Sequence, residues 1–244
     1  MSSEIEAIFL DVGNTLRIVE KDEAFSMAAM LELVRLVGAD EPPVEFCKKL
    51  EVRFKAYRKQ AKETLLDVPE RVLWTEYMLP DFPPERIAPL AGKLTRLWRD
   101  RDGRRVARSD VKDVVPELCR RGYTLGIIAN TITETEIPDW LEQDGLGGYF
   151  KAVVLSSLFR IRKPNPEIYL EACRRAGVDP ARSVYVGDNP SRDILGARLA
   201  GYAQALIIVE PDTLAKEPPT GENTPDHYIT ECSDLLDLYP PRGK

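Results

Sequence analysis

The stretch IFLDVGNTLRI, Ile8 to Ile18, puts a single carboxylate, Asp11, at the end of an apolar run and follows it with Gly13 and Thr15. Far along the chain, Lys163 stands in RKPNPEIY, and Asp188 and Asp193 stand in GDNPSRD. Acids brought close repel unless something positive lies between them, and a hard divalent cation is the natural occupant. Mg2+ binds through one or two carboxylates and keeps waters or phosphate oxygens as its other ligands, so the pattern points to a small phosphorylated substrate. Asp11 is then the candidate nucleophile, forming an acyl phosphate while the cation and Lys163 relieve charge repulsion. Thr15 is expected to orient the turn and the Asp11 carboxylate, Asp188 to ligate the metal, and Asp193 to fix Lys163 or its loop.

These residues must be gathered by the elements around them. Five short apolar runs, AIFLDV, YTLGIIAN, KAVVLSS, SVYVGDN and QALIIVE, read as strands buried on both faces. Helical patterns separate the later runs. Val111, Val114, Val115 and Leu118 share one face, and a second helix opens with Asn165 as cap and Pro166 in its first turn and closes at Gly177. Alternating strands and helices predict an α/β fold, a doubly wound parallel sheet of Rossmann-like form. Ligands of such sheets sit outside the carboxyl ends of the strands. That edge receives Asp11, Ala129-Asn130-Thr131, Lys163 and Asp188.

From about Val19 to Trp98 the chain reads as helices only, too long for a crossover of about 10–15 residues. The expectation is an inserted all-helical cap domain, 18–105, in a core formed by 1–17 and 106–244. RDRDGRRVARSD reads as the return hinge, and the Pro-rich VEPDTLAKEPPTGENTPDHY as a mobile loop.

Composition limits the alternatives. With 43% hydrophobic and 30% charged residues, the 244-residue chain has an ordinary globular balance. Its net charge of −6 argues against nucleic acid or a membrane surface as partner. The basic stretch VEFCKKLEVRFKAYRKQAKETL is read as a solvated helix face. No apolar run reaches the ~18 residues of a membrane span, and Cys47, Cys119, Cys173 and Cys232 form no CxxC pair, so a cytoplasmic protein with reduced thiols is expected. His227, the only histidine, lies far from the acids, which disfavours a Ser–His–Asp triad and leaves it a structural role.

DVGNTL, RKPNPEIY and GDNPSRD followed by GARLAG together resemble the signatures of the haloacid dehalogenase (HAD) superfamily. The helical insertion resembles the cap of the subgroup containing phosphoglycolate phosphatases, phosphomutases and haloacid dehalogenases. The resemblance implies a hydrolase, most of all a phosphatase, working through an aspartyl phosphate on Asp11. It implies Mg2+ held by Asp11, Asp188 and the carbonyl of Gly13, with Asn130 and Thr131 at the substrate. Phosphatases of the family carry an Asp where Gly13 stands, to protonate the leaving oxygen and activate water, and a Ser or Thr where Ala129 stands. Metal binding is expected to survive both changes and turnover to be slow, with Thr131 or Thr133 available to replace the hydroxyl. A purely conformational reason for Gly13, easing a tight turn, is the competing explanation. The alternative function is a catalytically impaired protein that binds a phosphometabolite or a protein partner. A dehalogenase is less favoured because halide displacement needs no metal acid, and a phosphonatase because no cap lysine is singled out.

Overall fold

Eight strands occur among residues 4–243, which the computed structural model describes: β1 (Ala7–Leu10), β2 (Arg17–Glu20), β3 (Arg104–Ala107), β4 (Thr124–Ala129), β5 (Phe150–Leu155), β6 (Ser183–Gly187), β7 (Gln204–Ile208) and β8 (His227–Ile229). Six of them form one sheet in the order β5-β4-β1-β6-β7-β8, paired in parallel throughout. The five apolar runs supply β1 and β4 to β7, as their sequence predicts. β1 lies between β4 and β6, where the strand order reverses. Leu10 is level with Ile127 on one side and Val186 on the other. The carboxyl ends of the three strands therefore open onto one crevice.

Burial on both faces explains why β1 is apolar throughout. Ile8 and Leu10 pack with Val111, Val114, Val115 and Leu118, while Ala7 and Phe9 pack on the opposite face with Tyr169, Tyr185 and Tyr202. Each large side chain so buried contributes roughly 1.5–3 kcal/mol.

Between β2 and β3 the chain is helical: α1 (Glu23–Val37), α2 (Pro43–Thr64), α3 (Glu70–Val72) running into a π turn at Leu73–Met78, α4 (Pro84–Ile87) and α5 (Ala91–Asp100). Asp22 caps α1 by accepting from the Phe25 amide, and Gly38 ends it in the left-handed conformation. Leu33, Phe46, Leu50, Trp74, Leu94 and Trp98 make a core of their own. The sheet carries α6 (Val111–Arg120), α7 (Glu136–Gln143), α8 (Ser156–Phe159), α9 (Pro166–Ala176), α10 (Leu195–Leu199), α11 (Pro211–Lys216) and α12 (Asp234–Leu238). Asn165 and Gly177 cap α9 as expected.

Two expectations are corrected. The chain does not turn helical at Val19: β2, which contains Val19, pairs antiparallel with β3, so the return segment is half of a two-stranded ribbon rather than a plain hinge. Four-residue strands of mixed charge are too short to show a period of two. The Pro-rich segment is not structureless either, since it holds α11, begun by Pro211 in its first turn, and β8, begun by His227.

The helical segment is fastened across the crevice. Leu66 bridges Ile161, the Asp67 amide donates to the Arg160 carbonyl at 2.9 Å, and the Arg162 amide to the Leu65 carbonyl at 3.1 Å. Glu70 and Glu134 each accept from the other's backbone amide at 2.9 Å. Among the described residues no helix is long and apolar enough to cross a membrane.

Candidate active site

Asp11 follows β1 directly, and its amide donates to the Val186 carbonyl at 2.9 Å, so the residue is fixed to the neighbouring strand. Its Oδ1 accepts from Lys163 Nζ at 3.0 Å. The fully buried Lys163 ammonium also donates to Asp193 Oδ1 at 2.7 Å and to the Tyr185 hydroxyl at 2.6 Å, which uses all three of its donors. The Tyr185 hydroxyl in turn donates to the Ile128 carbonyl at 3.0 Å.

Asp193 is the hub. Besides Lys163 it accepts from the amides of Asp188 and Asn189, at 3.2 and 3.0 Å. Burial opposes its ionisation, but Lys163 and Arg192 outweigh this and hold its carboxyl below the ordinary value. The approach requires Gly187, since a Cβ there would fall 2.5 Å from the Asp193 carboxyl carbon. The glycine before Asp188 thus makes room for the acid six residues on.

Asp11, Asp188 and Asp193 each bring a carboxylate oxygen within 4.8 Å of the others. Asp188 also accepts from Asn14 Nδ2 at 2.9 Å. Burial, then repulsion from Asp193 and Asp11, raises its carboxyl to about 6, against the pull of Arg192. Arg192 stands between the two free acids, with Nη2 2.8 Å from Asp188 Oδ1 and 3.6 Å from Asp11 Oδ2. An organic cation thus offsets part of the pair's charge.

The turn after Asp11 differs from expectation in one contact. Thr15 Oγ1 is buried with no hydrogen-bond partner among the described residues, so the expected bond to the Asp11 carboxylate is not made. The turn is held instead by Asn14, which adopts φ 59° and whose carbonyl accepts from Arg108 Nη2 at 2.8 Å. Gly13 is not the residue in the left-handed region, and a Cβ added to it would meet no atom within 4 Å. Conformation and space therefore do not explain its missing side chain.

On the facing loop, Asn130 is committed to Lys163. Its Nδ2 donates to the Lys163 carbonyl at 2.9 Å and its Oδ1 accepts from the Lys163 amide at 2.8 Å. This clamp positions the lysine and leaves the amide group no side-chain donor to spare beyond its second N–H. Thr131 and Ala129 line the same cavity, of about 360 Å³, as Asp11, Gly13 and Asp188. Thr131 Oγ1 accepts from the Thr133 amide and keeps its own proton to donate, whereas Thr133 Oγ1 accepts from the Glu136 amide at the start of α7.

The structure thus gathers Asp11, Gly13, Asn130, Thr131, Lys163, Asp188 and Asp193 at one edge and sets Thr15 beneath it. It adds Asn14, Tyr185 and Arg192, together with Arg17, Arg99, Arg105, Thr213 and Lys216 on the cavity wall, none of which sequence reasoning selected. Arg192 was findable: it lies four residues after Asp188 on one turn, the spacing of an ion pair. Tyr185 was findable from strand alternation. The other arginines come from distant segments and carry no local signal.

The comparisons with known proteins fit this arrangement. The model of the family described as haloacid dehalogenase-like hydrolase matches residues 44–207. Over 131 residues the chain is 35% identical to glyceraldehyde 3-phosphate phosphatase of Methanopyrus kandleri, a match covering 52% of this chain and 54%, about half, of that protein's length. It is 26% identical to N-acylneuraminate-9-phosphatase of Mus musculus over 96% of this chain and 93% of that protein. The crystal structure of a 2-haloacid dehalogenase from Pseudomonas syringae pv. Tomato superposes with a TM-score of 0.68 at 25% identity, covering 96% of this chain and 97% of that one. Sheet order, site geometry and family match agree, and this chain belongs to the haloacid dehalogenase-like hydrolases.

Proposed function

We propose that the chain is a Mg2+-dependent phosphatase of small phosphorylated metabolites, working through an aspartyl phosphate on Asp11. The observation that carries the reading is the placement of Asp11: Lys163 holds Oδ1, and Oδ2 is left toward the cavity beside Asp188. The helical segment between β2 and β3 serves as the cap, fastened at Leu65–Asp67 and at Glu70 over the loops that carry Lys163 and Thr131.

The donor set suits the metal. Clustered carboxylate oxygens are hard ligands for a hard cation, and Asp193, saturated by Lys163 and two amides, leaves Asp11 and Asp188 to bind it with the Gly13 carbonyl. Mg2+, when bound, neutralises the charge of the transferring phosphoryl group. Arg192 must then swing off Asp188, and its side chain, 31% exposed, has a path to solvent.

In the first step the Asp11 carboxylate attacks phosphorus, a new bond forms from its oxygen, and the bond to the leaving oxygen breaks. Thr131 Oγ1 is the hydroxyl placed to donate to a phosphoryl oxygen in place of Ala129. Water then attacks phosphorus, releasing inorganic phosphate and restoring the carboxylate. Gly13 supplies no group to protonate the leaving oxygen or to take the proton of that water, an assistance worth roughly 10²–10⁴-fold. Turnover is therefore slow for esters and fastest for acyl phosphates, whose leaving group needs no proton.

The test is hydrolysis across phosphate esters and acyl phosphates, with and without Mg2+, against Asp11→Asn. Metal-dependent release of phosphate that the variant loses is expected. Activity no higher than the variant's on every substrate overturns the reading.

A further inference from the structure

A second cavity, of about 210 Å³, continues from the first between the helical segment and the sheet edge and shares Asn130, Thr131, Arg99, Arg105 and Arg192 with it. Its charges do not balance. Arg58, Arg99, Arg105, Arg162 and Arg192 line it against Asp67 and Asp102 alone. Three of the five arginines are neutralised: Arg162 by Asp67 at 3.1 Å, Arg99 by Glu136 behind the wall, and Arg192 by Asp188.

The remaining two are less well matched. Arg105 has only a long 3.7 Å contact with Asp102, a carboxylate it shares with Arg101 at 3.2 Å, while Arg101 is also held by Glu51 at 2.8 Å. Arg58, projecting from the basic helix α2, has no carboxylate within 4.0 Å among the described residues and rests 5.9 Å from the Phe54 ring. Burial, then Arg162 and Arg192, lowers the Arg58 pKa, and burial, then Arg99, lowers that of Arg105 to about 10. Like charges are thus crowded at a cost that an anion would remove.

We propose that Arg58 and Arg105 bind a second anionic group of the substrate, so that the enzyme takes phosphate monoesters whose tail ends in a carboxylate or a second phosphate. The inference rests on the phosphatase reading for the site at Asp11, but it concerns the opposite end of the cavity. Arg58 gives the basic face of α2 a role other than solvation. Guanidinium forks match both oxyanions in bidentate geometry, and the tail must be long enough to span from Asp11 past Asn130.

The experiment is calorimetric titration of the Mg2+-loaded full chain with alkylphosphonates of increasing length, each compared with its ω-carboxylate and its ω-phosphonate. Their C–P bonds are not hydrolysed by phosphatase chemistry, so binding is read apart from turnover. At the best-fitting length an anionic tail is expected to bind about tenfold or more tightly than the plain alkyl tail. Arg58→Gln and Arg105→Gln are each expected to cut that ratio to within about threefold, and Arg58→Lys to retain part of it. A wild-type chain that binds charged and uncharged tails equally at every length, or binds neither, overturns the inference, as does a ratio that survives both substitutions. The carboxylate and phosphonate arms decide which oxyanion is preferred. Failure of the phosphatase reading appears separately, as absence of ester and acyl phosphate hydrolysis while the binding ratio persists.

Discussion

The two walls of the cavity treat charge in opposite ways. On the sheet side, Lys163 spends its three protons on Asp11, Asp193 and Tyr185, and Arg192 answers Asp188, so three carboxylates face two cations and the wall keeps one net negative charge for a metal ion to meet. On the helical side Arg58 has no counter-ion and Arg105 shares one. On the proposed function, the first wall is preorganised to do the same chemistry on any phosphoryl group. The second is complete only with a ligand, which is what a selecting surface requires. The proposals thus divide reaction and selection between two parts of the chain.

Restoring the two missing groups should have the largest effect. Gly13→Asp with Ala129→Ser is expected to raise turnover of phosphate esters by about 10²–10⁴-fold, measured as phosphate release at saturating substrate. The open space at Gly13 lets the side chain enter without repacking. An inactive double variant that still binds Mg2+ would mean that the sheet-side wall is not a catalytic one.

Stability separates the walls next. Lys163→Met leaves Asp11 and Asp193 uncompensated in a buried place and should cost about 3–5 kcal/mol in denaturant unfolding. Arg58→Gln removes a charge with no paired carboxylate from the solvent-accessible rim of the cavity and should stay within about 0.5 kcal/mol of wild type. Equal losses would erase the distinction. A binding effect smaller than the loss expected for Lys163→Met concerns Arg192, whose guanidinium competes for Asp188. Arg192→Ala should tighten Mg2+ by about tenfold, read by calorimetry, because the two acids are then left to repel each other until the metal arrives.

How much of this was written in local sequence follows the same division. Runs such as AIFLDV and SVYVGDN are apolar because both faces of a parallel strand are buried, so the sheet and the residues at its carboxyl edge could be placed from composition and order. Asp11, Lys163, Asp188 and Asp193 followed from that edge. The β2–β3 ribbon could not be read, since RIVE and RRVA are short, charged and joined only through residues some ninety positions apart. The lack of a partner for the Thr15 hydroxyl could not be foreseen, because a hydroxyl in a turn gives no sign of whether Asn14 will take over the anchoring. The arginine-lined wall was hidden for the same reason: Arg58 looks like one more base on a polar helix until its neighbours from β3 and the Lys163 loop are known.

The central claim is that Asp11 accepts the phosphoryl group, and Gly13 makes it directly testable. With no side chain there to activate water, the acyl phosphate on Asp11 should persist. Mass spectrometry of the chain after incubation with Mg2+ and acetyl phosphate is predicted to find one added phosphoryl group, located on Asp11 and absent from Asp11→Asn. An unmodified Asp11 in a chain that binds Mg2+, or a label on another residue, would contradict the account.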